Sequence, residues 1–550
     1  VEERIWLKNY DKGVPSDVNC DDSKPYDFLK KSAEKFPNRE AVIFFNYHAN
    51  YSKLKEMVDS FAYYLTKLGI NKGDRVAIDL PNCPQYLISY YAINKIGAIV
   101  VQISPTYFDV ELEHIIGDSK PKALIILDDL IPRLENVRKK EDFIIIATRI
   151  EDFLKFPLNF LYNIQRRSKK SFVKIPEFAK KLKEGFKGKG EVKENNDPES
   201  VAVLQYTGGT TGIPKGAMLT NRNLVCNTYQ SLSVIPGLEN GKDALLSVIP
   251  FFHVFGMTVA MNFPIKIAAT MILQPKPDID GIMKLIKKYR PTFFPGVPTI
   301  YINILNHKDV KKVDLSPVKY CISGSAPLPV DVIEKWQKVT GGHLVEGYGL
   351  SEASPVTHLN PLFGKIKEGS IGLPMASTYA KIVDSETGTK EMPIGQEGEL
   401  IIKGPQVMKG YWNKDDETAN VLRDGWLYTG DIAKMDEEGY FYIVDRKKDV
   451  IIVGGFNVYP REVEEILYQN PKVKEAAVVG VKEDVHGEIV KAFIVLKEGE
   501  TATEQEIKDF FQGKIAKFKI PRVIEFRKEL PKTMVGKVLR RELREEKNKN

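Results

Sequence analysis

The sequence predicts an α/β protein that carries a smaller α+β domain at its C-terminal end. Three observations lead there. Helical and strand-like patterns alternate over residues 25–130 and again over 201–375, which argues a mostly parallel sheet covered by helices. Residues 380–445 turn strand- and turn-rich, with Gly395, Gly398, Gly404, Gly410, Gly425, Gly430 and Gly439 punctuating short apolar segments, which reads as a small barrel-like β unit. Past the charged stretch Asp445-Arg-Lys-Lys-Asp449 the texture changes again, so a domain boundary is expected near Lys448, dividing the chain into 1–447 and 448–550. At 550 residues the chain can bury several cores, and 43% hydrophobic with 28% charged residues is an ordinary globular composition.

The N-terminus, Val1-Glu-Glu-Arg-Ile-Trp, lacks an apolar core segment, so no secretory signal is expected. Helical periodicity at 26–35 and 54–68 precedes Gly69, a natural C-cap, and strands follow at 75–80, 98–103 and 122–127 around a helix at 110–117. Over 150–194 the aromatic run Phe153 to Tyr162 leads into Arg166-Arg-Ser-Lys-Lys170 and further lysines to Lys193. This is either a solvated helical excursion or an aromatic and basic patch that lies on an anionic membrane surface. Residues 201–206 form a buried strand, and Asn221 opens a helix. Residues 244–265 contain no Asp, Glu, Lys or Arg and could span a bilayer by length. Pro250, His253, Asn262 and Pro264 interrupt them, and a buried strand followed by a buried helix is expected instead. The C-terminal domain reads as a strand at 450–453, a helix at 460–469, strands at 475–481 and 489–496, a helix at 503–517 and a basic tail, and no internal repeat occurs.

A net charge of +7 is mild for this length and does not argue for nucleic acid. Cys20, Cys83, Cys226 and Cys321 lie far apart with no CxxC pair, so neither a zinc site nor a disulfide framework is expected, and a reducing compartment fits.

The chemistry concentrates in Tyr206-Thr-Gly-Gly-Thr-Thr-Gly-Ile-Pro-Lys-Gly-Ala217. Glycines let successive backbone N–H groups converge on an anion, the threonines add neutral donors, and Lys215 adds a mobile charge. It is not a Walker A loop, because Lys215 stands between Pro214 and Gly216 rather than before Ser or Thr. The reading is a triphosphate cradle. Further motifs gain meaning beside it. Gly347-Tyr-Gly-Leu-Ser-Glu352 offers an aromatic ring for a purine, a hydroxyl for a phosphate and a carboxylate for a hard cation. Asp424-Gly-Trp-Leu-Tyr-Thr-Gly-Asp431 ends in a carboxylate suited to ribose hydroxyls, and Lys532-Thr-Met-Val-Gly-Lys-Val-Leu-Arg540 places Lys537 on a glycine-containing loop.

In that order along one chain, these motifs resemble the adenylate-forming superfamily of acyl-CoA synthetases, amino-acid adenylation domains and luciferases, over residues 26–540. The segment from Asp424 to Asp449 looks most like medium- and long-chain fatty-acid–CoA ligases. The resemblance implies a large N-terminal domain of two α/β subdomains plus a β-barrel, and a mobile C-terminal lid. It implies an ATP-dependent ligase that forms acyl-AMP with release of pyrophosphate and then a thioester with coenzyme A. Thr207, Gly208, Gly209, Thr210, Thr211, Gly212 and Lys215 would hold phosphates, and Glu352 with Thr211 would hold Mg²⁺. Ser325, Ala326, Pro327, Glu346, Gly347, Tyr348, Gly349 and Ser351 would surround adenine and phosphate, while Asp431, Ile443 and Arg446 would meet the ribose. Lys537 would act at the α-phosphate, Lys448 would be the hinge, and Gly454, Gly455 and Phe456 would line the pantetheine channel. His253, within Phe251-Phe-His253-Val-Phe-Gly256, would stand at the acyl site with Val254, Phe255, Met257, Val297, Ser323 and Gly324.

No bulky residue announces a short pocket, and an apolar acid of medium or greater length is expected. Two other readings stand beside the ligase. An enzyme loading a carrier protein with an amino acid would hold its amino group with a carboxylate, yet none occurs between Phe251 and Phe263, and no carrier domain is expected after Asn550. A non-catalytic acyl- or nucleotide-binding protein would need neither Glu352 nor Lys537. The expected location is cytoplasmic, with room for peripheral contact on the inner face of a membrane and for an oligomer.

Overall fold

The computed structural model describes residues 4–169, 171–194, 197–207, 214–453, 456–483, 487–533 and 536–545. The chain forms two compact units, one of Val1–Tyr379 with Lys403–Leu427, the other of Ala380–Ile402 with Tyr428–Asn550.

The first unit contains a seven-stranded sheet in the spatial order Lys180–Lys181, Ile144–Thr148, Ala123–Leu127, Arg75–Asp79, Ile99–Gln102, Val201–Thr207, Lys215–Thr220. Every pairing is parallel except the last. Runs such as Ala123-Leu-Ile-Ile-Leu127 are buried along their whole length, as a parallel sheet covered on both faces requires. A second, mixed sheet runs Ala244–Ser247, Thr270–Leu273, Glu40–Phe44, Tyr47–Asn50, and a third joins Tyr320–Ser323, His343–Gly349, Val356–Leu359 and Leu373–Pro374.

The predicted helices stand close to their expected places. Tyr51–Lys67 is capped by Asn50, whose side chain accepts the Lys53 N–H at 2.8 Å, and Gly69 ends the segment at φ +82°. The uncharged stretch folds as the strand Ala244–Ser247 and a buried helical run over 254–266 that loosens into a π turn at Thr258–Asn262. Among the described residues no helix is long and apolar enough to cross a membrane.

The second unit holds an antiparallel sheet built mainly from Tyr379–Val383, Gly398–Lys403, Trp426–Met435 and Phe441–Arg446. It also holds a sheet ordered Phe456–Val458, Ile451–Val453, Gly487–Leu496, Val473–Glu483, with Val523–Phe526 added in parallel to Gly487–Leu496. Two apolar clusters cover that sheet. One packs Val463, Ile466, Leu467, Ile507 and Phe511 against it, the other Leu530 and Leu543.

Three expectations need correction, and one strand was not expected. The helix opens at Asn221 as expected and runs to Ser233, but Lys215–Thr220 before it is a strand, antiparallel to Val201–Thr207. The helix expected over 503–517 is only Glu504–Phe510, and Gly513 adopts φ +73° beyond it. Within the basic excursion, Arg166 is not solvated. It is buried against Asp128 and Glu151 at 2.7 and 2.9 Å. Cys20 and Cys226, 206 residues apart, are joined in a disulfide, while Cys83 and Cys321 stay free and buried. Spacing alone concealed the link, because the two sulfurs are neighbours only after the N-terminal segment packs beside the helix that follows the hairpin.

Candidate active site

The hairpin of Val201–Thr207 and Lys215–Thr220 places Thr207 opposite Lys215, so the segment between them leaves and rejoins the sheet on one rung. Gly208, Gly209, Thr210, Thr211 and Gly212 lie outside the described residues. Their anchors are held firmly. The Tyr206 hydroxyl donates to Asp118 at 2.6 Å, and a side chain at Gly216 would come within 3.1 Å of the Tyr206 ring, so glycine is what lets that ring pass. His114 Nε2 lies 2.8 Å from the Pro214 carbonyl. The segment 409–412 runs along the outer edge of the second strand through Met218 N–H to Gly410 O and Trp412 N–H to Gly216 O.

That segment and the helix after it, Asp415–Val421, deliver two residues the sequence did not single out, Tyr411 and Glu417. Lys215 Nζ meets the Glu417 carboxylate at 2.5 Å, and it lies 5.3 Å from the centre of the Tyr411 ring. The Tyr411 hydroxyl donates to Glu352 Oε1 at 2.8 Å. The lysine expected to meet phosphate and the carboxylate expected to meet a cation are therefore bridged by one phenol. Burial and the Glu352 charge both push the Tyr411 hydroxyl far above its ordinary pKa, so it stays a donor. An anion reaching Lys215 would replace Glu417, whose side chain retains solvent contact.

The loop after Tyr320–Ser323 carries Ser325, in the left-handed region at φ +71°, then Ala326 and Pro327. Glu346 fixes it by accepting the Leu328 N–H at 2.8 Å, so this carboxylate has structural work of its own. Gly347, Tyr348 and Gly349 end the neighbouring strand. The Tyr348 ring stands edge-on to His358 with centroids 5.9 Å apart. A side chain at Gly349 would strike the Pro355 carbonyl at 2.2 Å. Burial drives His358 down to about 3, so it is a neutral packing partner. Ser351 and Glu352 follow in the turn Ser351–Ala353.

The acyl candidates also meet. His253 caps the helical run and its Nδ1 accepts the Phe255 N–H at 3.2 Å. Val254, Phe255 and Met257 are buried. Phe255 packs on Gly324, where an added Cβ would lie 3.3 Å from the ring. The segment 296–297 bridges to Ser323 and Gly324, which brings Val297 beside them.

In the second unit Asp431 and Arg446 face each other across neighbouring strands and pair at 3.1 Å, with Ile443 on the same strand as Arg446. Lys537 sits on a tight loop closed by Thr533 N–H to Lys537 O at 2.8 Å and by a bridge between Lys532 and Val538. Its side chain keeps contact with solvent, yet the dense protein around it removes much of its water. That desolvation, with Arg446 adding to it and Asp431 opposing, lowers the ammonium to about 8. Lys448 is likewise lowered to about 8, first by desolvation. Gly454 and Gly455 lie outside the described residues, whereas Phe456 is exposed and pairs with Phe518 at 5.0 Å.

The family described as AMP-binding enzyme matches residues 29–412, and the AMP-binding enzyme C-terminal domain matches 462–537. A long-chain-fatty-acid–CoA ligase of Bacillus subtilis strain 168 is 47% identical over 100% of this chain and 99% of its own length. One of Escherichia coli O6:H1 is 40% identical over 99% of this chain and 98% of its own. Among solved structures, ATP-bound MatB from Rhodopseudomonas palustris superposes with TM-score 0.83 at 30% identity, covering 95% of this chain and 99% of its own. An anthranilate CoA ligase in complex with anthranoyl-AMP gives TM-score 0.83 at 26% identity, with 94% and 96% covered.

Proposed function

Since the chain belongs to the family of AMP-binding enzymes, we propose that it works as a long-chain fatty-acid–CoA ligase. The enzyme activates a fatty acid with ATP as acyl-AMP, releases pyrophosphate, and passes the acyl group to the thiol of coenzyme A. The observation that carries this reading is unbroken likeness, from end to end, to relatives that bear that name. Loading of a carrier protein and mere nucleotide binding are not favoured, since the relatives are CoA ligases.

Each residue role is part of the proposal. Lys215 would exchange Glu417 for a phosphate oxygen, leaving Tyr411 to orient Glu352. Charge builds on phosphoryl oxygens as the carboxylate attacks and pyrophosphate departs. An ammonium at Lys537 would offset that charge, and Asp431 with Arg446 would hold the ribose so that the α-phosphorus faces the acid. The fit to Mg²⁺ rests on donor chemistry. Among the described residues no group of three or more His, Cys, Asp or Glu gathers to cage a metal, whereas Glu352 offers a single hard carboxylate oxygen. That is how Mg²⁺ is commonly held, by one or two carboxylates plus the substrate's phosphates, and when bound it neutralises phosphate charge. Lys448 would be the pivot of a lid at 448–550, carrying Lys537 away before the thiol arrives, and Gly454, Gly455 and Phe456 would then border the pantetheine. Phe255, Val297 and Gly324 would line the path of the acyl chain. A cytoplasmic location with peripheral contact at a membrane surface belongs to the same proposal.

The test is pyrophosphate release and thioester formation across acids of increasing length, with and without coenzyme A. Each buried methylene contributes about 0.8 kcal/mol, so four extra carbons should raise kcat/KM by roughly two orders of magnitude. Laurate and palmitate should exceed octanoate, and octanoate should exceed acetate. Preference for acetate, or activity confined to amino acids, would overturn the assignment.

A further inference from the structure

The helix Leu158–Ser168 is built inside out. Its buried residue is a guanidinium, with Leu158 and Tyr162 on the same face only half-buried: Arg166 is 9% exposed and is bound by Asp128 at 2.7 Å and by both oxygens of Glu151 at 2.9 and 3.1 Å. Its outward face is apolar. Phe160, Leu161 and Ile164 are 59%, 54% and 49% exposed on adjoining turns, and Phe156, just before the helix, is 80% exposed. A surface helix normally turns such residues toward the core, and a contiguous apolar patch on the outside marks an interaction site.

Charge says what kind. From residue 153 to 176 the sequence contains no Asp or Glu and six Lys or Arg. With Arg166 neutralised internally, Lys155, Arg167, Lys169 and Lys174 remain exposed around the apolar face. Phe172 keeps the basic end in place, because Arg149 and Arg167 stack over its ring at 4.7 and 4.8 Å. Two copies meeting through this face would bring like charges together, which disfavours a self-association surface. Eleven residues span only about 16 Å, too short to cross a bilayer. Apolar side chains ringed by cations suit a helix lying in the plane of an anionic lipid surface.

We infer that Phe156, Phe160, Leu161 and Ile164 enter the headgroup boundary of an anionic membrane while Lys155, Arg167 and Lys169 meet lipid phosphates. The inference rests on the fatty-acid ligase reading for its purpose, since long-chain acids partition into membranes, but not for its geometry.

The experiment uses the full chain with two vesicle types, phosphatidylcholine alone and phosphatidylcholine with phosphatidylglycerol. Sedimentation should show partition onto the anionic vesicles, weakening about tenfold as salt shortens the screening length from roughly 10 Å toward 3 Å. Phe160→Ser with Ile164→Ser, and separately Arg167→Glu with Lys169→Glu, should each lower that partition at least tenfold. Vesicle-free ligation of octanoate should be unchanged in both double variants. Equal partition onto neutral vesicles, no partition at all, or double variants that bind like the parent would overturn the inference. So would a dimer that the Phe160→Ser, Ile164→Ser pair dissolves. Failure of the parent protein to ligate octanoate without vesicles would instead count against the ligase reading and leave the vesicle result to be judged by itself.

Discussion

The charge on Lys537 is set by its surroundings: desolvation, with Arg446 adding to it, lowers its ammonium to about 8. The sign follows directly: the charged form prevails below about pH 8 and is lost above it, whereas an ordinary lysine stays charged to about pH 10. Adenylation, followed as pyrophosphate release, should therefore fall as pH rises through about 8. Thioester formation from supplied acyl-AMP should not share that fall. Lys537→Ala should lower adenylation by about 10²–10³ and flatten its profile, while the second half-reaction stays within about tenfold. Equal loss of both steps in a folded variant would remove Lys537 from its assigned role. Glu417 and Tyr411 were not readable at all. Glu417 sits in Asp415-Asp-Glu417, an ordinary acidic first turn, and its partner Lys215 is 202 residues away.

Local periodicity makes some segments legible in the sequence, while others take their form only from their partners. Buried runs such as Ala123–Leu127 and capped helices such as Tyr51–Lys67 carry their own signals. The strand Lys215–Thr220 does not, because a six-residue piece holding a glycine becomes a strand only by pairing with Val201–Thr207 and with 409–412. The inverted helix was half legible. Its aromatic and basic residues were evident, but which face carried Arg166 inward depended on Asp128 and Glu151. The turn at Lys448 lies between the strands Phe441–Arg446 and Ile451–Val453, with Asp449 beside it held by Arg544 at 2.9 Å. If this turn is the pivot, Lys448→Pro should fix φ near −65° and restrict the residue before it. Pyrophosphate release should then persist while transfer to coenzyme A falls at least tenfold. A variant that retains both steps would show that rotation occurs elsewhere.

For the molecule as a whole, the fold class and the succession of motifs were legible because a parallel sheet demands near-continuous apolar strands and anion sites demand glycine. The Cys20–Cys226 link was not, since no local rule joins residues so far apart. Protein denatured in acid at lysis, which quenches thiol exchange, and titrated without reductant should show two thiols, Cys83 and Cys321, rising to four after reduction. Four thiols before reduction would mean that the link does not form in the cell. A closed loop of 206 residues restricts the unfolded chain by about 5 kcal/mol in the chain-entropy account, so reduction should lower the thermal midpoint of the first unit. The same bond changes what it means to cut this protein. Between residues 20 and 226 the polypeptide is a ring, and one peptide bond broken anywhere on that ring leaves a single covalent molecule. A protease nick in the exposed stretch around residues 187–191 would pass unseen on a non-reducing gel and yield two fragments only once the sulfurs are parted.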